Sequence, residues 1–177
     1  MKFGRLDFSP VEDNFDLVAP AVKKAILDNN LKDVLVTKID PDLADTAAFC
    51  DHYNIGMDVS ANCVVVEAKR ADKSWYAACM VLATTRADVN GIVRKQLDAR
   101  KISFAPMGNA VALTKMEYGG ITPIGLPADW PILIDSNVDK TKQIIIGSGI
   151  RDSKLLVPGH LLASLPKARV LDITKAN

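Results

Sequence analysis

The 177-residue sequence has only two histidines, His52 and His160, and three cysteines, Cys50, Cys63 and Cys79. No two cysteines stand at a metal-ligand spacing such as C-x-x-C, and no further ligands complete a zinc site. No metal and no cofactor is expected. An odd number of thiols without a pairing pattern suits reduced cysteines in a cytosolic protein. Cys63 and Cys79 each sit inside an apolar run, where a cysteine reads as a small buried hydrophobe rather than a nucleophile. A dominant charge sign is also lacking, because 22 Lys and Arg nearly balance 21 Asp and Glu. Proteins that hold nucleic acid chiefly by its phosphates carry a strong basic excess. Any contact with RNA is therefore expected over a small area or at a strand end. Long hydrophobic runs are missing as well. The longest, Trp75 to Ala83, falls far short of the roughly 20 residues a membrane span needs. The N-terminal MKFGRLDFSPVED has no stretch fit for a signal peptide. These absences together predict a cytoplasmic protein with no membrane partner.

What is present is core material. Hydrophobic residues make up 49% and charged residues 24%, the profile of a packed soluble domain. The length suits one domain over residues 1–177. Val18, Val22 and Ile26 recur at helical spacing and predict a helix over 15–29, with Pro20 near its first turn. Alternation over 34–39 predicts a strand. Pro41 opens a second predicted helix with Leu43, Ala47 and Cys50 inward. Cys63-Val64-Val65-Val66 and the apolar stretch 75–84 read as two strands of a hairpin across a polar turn at 70–74. Further helices are expected over 89–97, 109–116 and 158–165. Asp88 or Thr85 is a candidate cap for the first of these. Short strands are expected over 102–105, 131–135, 143–147, 155–158 and 170–173. Many short strands with interleaved helices predict an α+β fold. Its expected form is a mixed, strongly curved sheet or barrel with surrounding helices.

One segment stands apart, Met116-Glu117-Tyr118-Gly119-Gly120-Ile121-Thr122-Pro123-Ile124-Gly125-Leu126-Pro127. Three glycines and two prolines in twelve residues exclude helix and regular strand. Such a loop can aim N–H groups at a ligand oxygen, as an oxyanion hole requires. A second glycine loop, Gly147-Ser148-Gly149 with Arg151 beyond it, follows an apolar strand. Taken alone, the first loop reads as a tight turn and the second as a hairpin. Neither is a nucleophile elbow or a P-loop. His52 and His160 read as structural or surface residues.

In combination the motifs say more. GGITPIGLP, then PILID, then IIIGSGIRDSKL resemble the motif order of the YbaK and prolyl-tRNA synthetase editing-domain family. The upstream hairpin and KISFAP fit the same order. The resemblance spans roughly 46–173 and leaves residues 1–30 as an N-terminal helical extension. It implies hydrolysis of the ester that joins a wrong amino acid to the tRNA 3′ end. It implies a pocket in which Gly119 and Gly120 polarise the ester carbonyl. Ile121, Thr122, Pro123, Asp135, Gly147, Ser148 and Gly149 would line that pocket; apart from the resemblance, the charge of Arg86 makes it a candidate contact for a terminal phosphate. Implied partners are the tRNA 3′ end and an aminoacyl-tRNA synthetase. One departure stands out. The family's lysine at the start of the first hairpin strand is replaced by Asn62, which can hydrogen-bond but brings no charge. Three functions stay open at this point: a free-standing trans-editing deacylase, a non-catalytic binding module for an aminoacyl group or tRNA end, and a small-molecule esterase.

Overall fold

The computed structural model describes residues 1–176. Strands β1 (Lys2–Phe3) and β2 (Leu6–Asp7) form a small hairpin, and β3 (Ser9–Pro10) follows. The first helix is shorter than its apolar period suggests. Pro20 has the fixed φ and missing N–H that suit the first helical position, so α1 runs Pro20–Asp28 and residues Phe15–Leu17 form a separate 3-10 turn. Val22 and Ile26 still face the core. After β4 (Leu35–Lys38), Pro41 starts only a short 3-10 turn, Pro41–Leu43. The chain then resets at the extended Asp45, and α2 is Thr46–Tyr53. The reset changes which side faces in: Ala44, Phe49 and Cys50 are buried, whereas Ala47, expected inward, is exposed.

The expected hairpin forms and is longer than its apolar run. Strand β5 (Ala61–Arg70) pairs in antiparallel register with β6 (Lys73–Leu82), from Ala61↔Leu82 to Arg70↔Lys73. Next come β7 (Thr85–Ala87), a π-helical turn over Val89–Val93 capped by Asp88 through Ile92 N–H, and α3 (Arg94–Gln96). Then follow β8 (Lys101–Phe104), α4 (Met107–Thr114), β9 (Ile132–Asp135), α5 (Ser136–Lys140), β10 (Ile144–Gly147) and β11 (Ser153–Val157). A 3-10 helix over Gly159–Ser164, β12 (Ala168–Leu171) and β13 (Thr174–Ala176) complete the chain.

The strands build two main sheets. One is antiparallel in the order β10-β11-β4-β3. The other is mixed in the order β12-β9-β6-β5-β8, with β9 parallel to both neighbours. Among the described residues no sheet closes, so the expected barrel does not form. The reason lies along one side of β5. Its start touches β10 through a single parallel bridge, Ser60↔Ile145, while β8 pairs only with Val66–Lys69. Among the described residues, 61–64 of β5 have no strand partner on that side. The main core fills the space between the sheets, with Val36, Ile146 and Leu155 facing Met80 and Ile134, and Val22 and Ile26 of α1 closing it. The N-terminal residues are built into this fold: β3 pairs with β4, and Phe8 and Val11 are buried.

Candidate functional site

The open side of β5 leads into a cleft of about 260 Å³. Its walls are residues 61–63 of β5, Gly147 at the end of β10, Lys154 near the start of β11, the loop carrying Tyr118, Gly119 and Ile121, Arg151, and residues 44–46 leading into α2. Strand register explains the gathering. The Ser60↔Ile145 bridge is parallel, which sets Asn62 level with Gly147, and Gly147 pairs with Lys154. Three neighbouring strands thus present Asn62, a glycine and Lys154. The backbone of Gly120 and Ile121 packs over that glycine, where any Cβ would collide with it.

The two glycine loops meet, as the resemblance implies, but mainly by packing on each other. Gly120 N–H donates to Glu117 O (2.9 Å), and Gly149 N–H donates to Gly120 O (2.7 Å). The Glu117 carboxylate accepts from Arg151 N–H at 2.8 Å. A Cβ on Gly120 would stand 2.6–2.9 Å from the Ile150 backbone, and one on Gly147 would stand 2.6 Å from Gly120 O. These glycines are required by close backbone approach. Gly120 is buried and its N–H is committed to the turn, which removes it from the donor role expected of it. Gly119, at φ +89°, and Ile121 line the cleft instead. Their N–H groups donate to no protein oxygen among the described residues. Arg151 fixes this loop by donating to Tyr118 O and Pro41 O, both at 3.0 Å.

Lys154 is the cation that sequence reading missed. It is 7% exposed, donates to Ala44 O at 3.1 Å and lies 5.3 Å from the Phe49 ring centroid. Among the described residues it has no salt-bridge partner. Burial holds its pKa below the ordinary lysine value. Arg151 acts in the same direction, while Asp45 and Cys50 oppose it. Its only sequence signal is a lone charge heading the apolar strand SKLLV. Across the cleft, Asn62 Oδ1 accepts from Thr46 Oγ1 at 2.6 Å. Asp45, with no capping bond from its carboxylate, also lines the cleft.

Cys63 reaches the cleft too, but its chemistry is quiet. Burial pushes its thiol well above the usual range, with Cys79 adding to the effect, and Cys79 itself is pushed up to about 12 by burial. The reactive form of cysteine is the thiolate. Cys63→Ala is therefore expected to keep at least about half of any hydrolytic activity, and the native thiol to resist alkylation at pH 8. Steady-state rates and mass-detected labelling check both.

The remaining expected residues lie outside the cleft. Thr122 is fully buried behind the loop with its hydroxyl unpartnered. Pro123 lines a separate apolar groove beside α1. Asp135 caps α5 through Asn137 N–H (3.2 Å) and accepts from Ile173 N–H (3.1 Å), a buried structural carboxylate. Ser148 donates to Ser153 O (3.1 Å) in a buried hydroxyl pair, and Gly149 is held at φ +90°. Arg86 sits exposed on β7, paired with Lys175 of β13.

Comparison with known proteins bears on the fold and the family. Two solved structures share the fold over nearly their whole length. One is a candidate trans-editing enzyme for prolyl tRNA synthetase (TM-score 0.75, 14% identity, 90% of this chain and 99% of that one). Another is a hypothetical protein (TM-score 0.76, 17% identity, 88% and 99%). The fold also matches 31% of a candidate signal transduction protein from Marinobacter aquaeolei VT8, covering 89% of this chain (TM-score 0.57, 19% identity). No curated protein matches the sequence. The model of the aminoacyl-tRNA editing domain matches residues 40–165, which hold every wall of the cleft. The chain belongs to the aminoacyl-tRNA editing-domain family.

Proposed function

We propose that this chain is a free-standing deacylase that hydrolyses the ester of a mischarged aminoacyl-tRNA, acting as one domain in the cytoplasm alongside a synthetase. The observation that carries this reading is the convergence of Gly119, Ile121, Asn62 and Lys154 on one small polar cleft. An ester needs donors aimed at the oxygen that becomes negative as water adds to its carbonyl carbon. The N–H groups of Gly119 and Ile121 supply neutral donors, and the Lys154 ammonium supplies charge. The ribose oxygen then leaves and takes a proton, freeing the amino acid and an intact tRNA 3′ end. Asp45 offers a carboxylate to the substrate's amino group. In this reading Lys154 contributes, from the opposite wall, the charge that Asn62 lacks.

The test is single-turnover deacylation over a panel of mischarged tRNAs. The expected result is hydrolysis of at least one of them. Asn62 already holds Thr46 and carries no charge, which favours the binding module as second reading. A folded protein that binds these tRNAs and hydrolyses none would establish that reading. Small aminoacyl esters cleaved as fast as tRNA would instead indicate a general esterase.

A further inference from the structure

The near-zero net charge conceals a segregation. Residues 67–73 and 94–101 carry seven Lys or Arg against three Asp or Glu, hence +4, on a chain whose total is +1. The fold brings these segments together. Lys69 pairs with Lys101 across β5 and β8, and Arg100 N–H donates to Lys69 O. Lys69, Arg70, Arg100 and Lys101 are all exposed and surround shallow depressions shared with Arg94. Two of these cations have neighbouring carboxylates, Lys69 with Glu67 at 3.7 Å and Arg70 with Asp98 at 3.3 Å. Arg94, Arg100 and Lys101 have none among the described residues. Strand β8 ends the order of its sheet, so among the described residues no strand pairs with its outer side.

We propose that this edge of β8 is a docking strip for the phosphates of an RNA acceptor arm whose 3′ end enters the cleft. The identity of the RNA rests on the deacylase reading above. The spacing fits. From Asn62 to Lys69 is seven residues along β5, about 23 Å at strand rise. At about 3.4 Å per stacked nucleotide, that reaches roughly seven nucleotides from the esterified end, inside the base-paired arm. Between the cleft and the cations stands Phe104, paired with Val66 and 67% exposed. An exposed aromatic ring is a stacking platform for an unpaired base. The order along β5 is ester site, aromatic platform, cations. Alternation puts Asn62 and Phe104 on one face of the sheet and Lys69 with Lys101 on the other. An RNA strand whose 3′ end, unpaired bases and duplex phosphates arrive in that order therefore turns over the β8 edge between the ring and these two lysines.

The experiment measures binding of an uncharged acceptor-stem hairpin ending in CCA, by fluorescence anisotropy across a salt series. Each phosphate contact contributes about 0.7–0.9 to the slope of log affinity against log salt. The double variant Arg100→Gln/Lys101→Gln is expected to lower that slope by about 1.5 and to weaken binding roughly tenfold at low salt. Phe104→Ser is expected to weaken binding about fivefold or more with the slope unchanged. Turnover of small aminoacyl esters should not change in either variant. Because the RNA carries no ester, a failure of hydrolysis and a failure of docking are read separately. The proposal is overturned if wild type does not bind the hairpin, or if the double variant matches it in affinity and slope. It is also overturned if polyglutamate displaces the hairpin at lower charge concentration than a second RNA does, which would assign the strip to an acidic protein.

Discussion

Lys154→Met is expected to lower single-turnover deacylation by roughly 10²–10³-fold, the cost of losing one preorganised donor to a developing oxyanion. The same change is expected to leave the protein as stable as wild type or more stable, by on the order of 1 kcal/mol near neutral pH. The reasoning is that Lys154 is nearly buried, without a carboxylate partner, and makes one hydrogen bond to Ala44 O. Keeping an ammonium out of water costs free energy that a methionine of similar length does not incur. The pH dependence has a definite sign. The folded-state pKa of Lys154 is depressed, so its contribution to stability is fully present above the unfolded lysine value of about 10.4. That contribution is lost as pH falls through the lower folded value. The stabilising effect of Lys154→Met should accordingly shrink as pH rises through this window and vanish above it. Denaturant midpoints from pH 7 to 10.5 measure it. A variant that loses activity together with stability would make Lys154 merely structural. A rescue sharpens the test. Asn62 and Lys154 line the same cleft, and Asn62→Lys in the Lys154→Met background should recover about tenfold of the lost rate by restoring one ammonium to it.

Gly120→Val is expected to destabilise the protein by about 3 kcal/mol or more and to abolish activity through the fold. The backbone atoms of Ile150 within 2.6–2.9 Å of the new Cβ cannot rotate aside as a side chain can, and overpacking of this kind costs at least 1–3 kcal/mol. The shift of the loop would also break the bond from Gly149 N–H to Gly120 O. A fall in urea midpoint matching or exceeding that of the core truncation Leu155→Ala is the expected measurement. A variant of native stability without activity would return Gly120 to the role of direct participant. The family resemblance favoured the latter outcome, and the residues could not correct it, because a glycine that admits a ligand and a glycine that admits another loop carry the same letter.

That ambiguity marks where sequence legibility stops. The β5–β6 hairpin was readable because its β-branched and apolar residues are close in sequence and pair locally. The start of α1 at Pro20 and the phase of α2 were misjudged by a few residues, since proline and Asp45 set boundaries that periodicity alone ignores. The barrel did not follow from strand count, because closure depends on how far β8 and β10 extend along β5. Gly119, Ile121, Gly147 and Asn62, which line the cleft, were named because the first three sit in glycine motifs and the family resemblance singled out the fourth. Lys154 was not, because its place in the cleft depends on the register of three strands drawn from distant parts of the chain. Asp135 illustrates the opposite error: a carboxylate ending an apolar strand looks the same in sequence whether it binds substrate or caps a helix. The basic strip was invisible to net charge, which sums over the surface what the fold sorts into regions.

The stretch matched by the family model begins at residue 40, yet β4 (Leu35–Lys38) lies between β11 and β3, and the carbonyl of Leu17 accepts from Ser153 Oγ. The homology boundary is therefore not the folding boundary. A fragment cut at residue 40 would strip β11 of a neighbour along Ser153–Leu156 and leave the Ser148 carbonyl without the N–H of Ala19. An apolar strand bared in this way templates intermolecular pairing, so such a fragment should collect in inclusion bodies even though it retains every cleft residue. Evolutionary kinship and mechanical self-sufficiency divide this chain at different places.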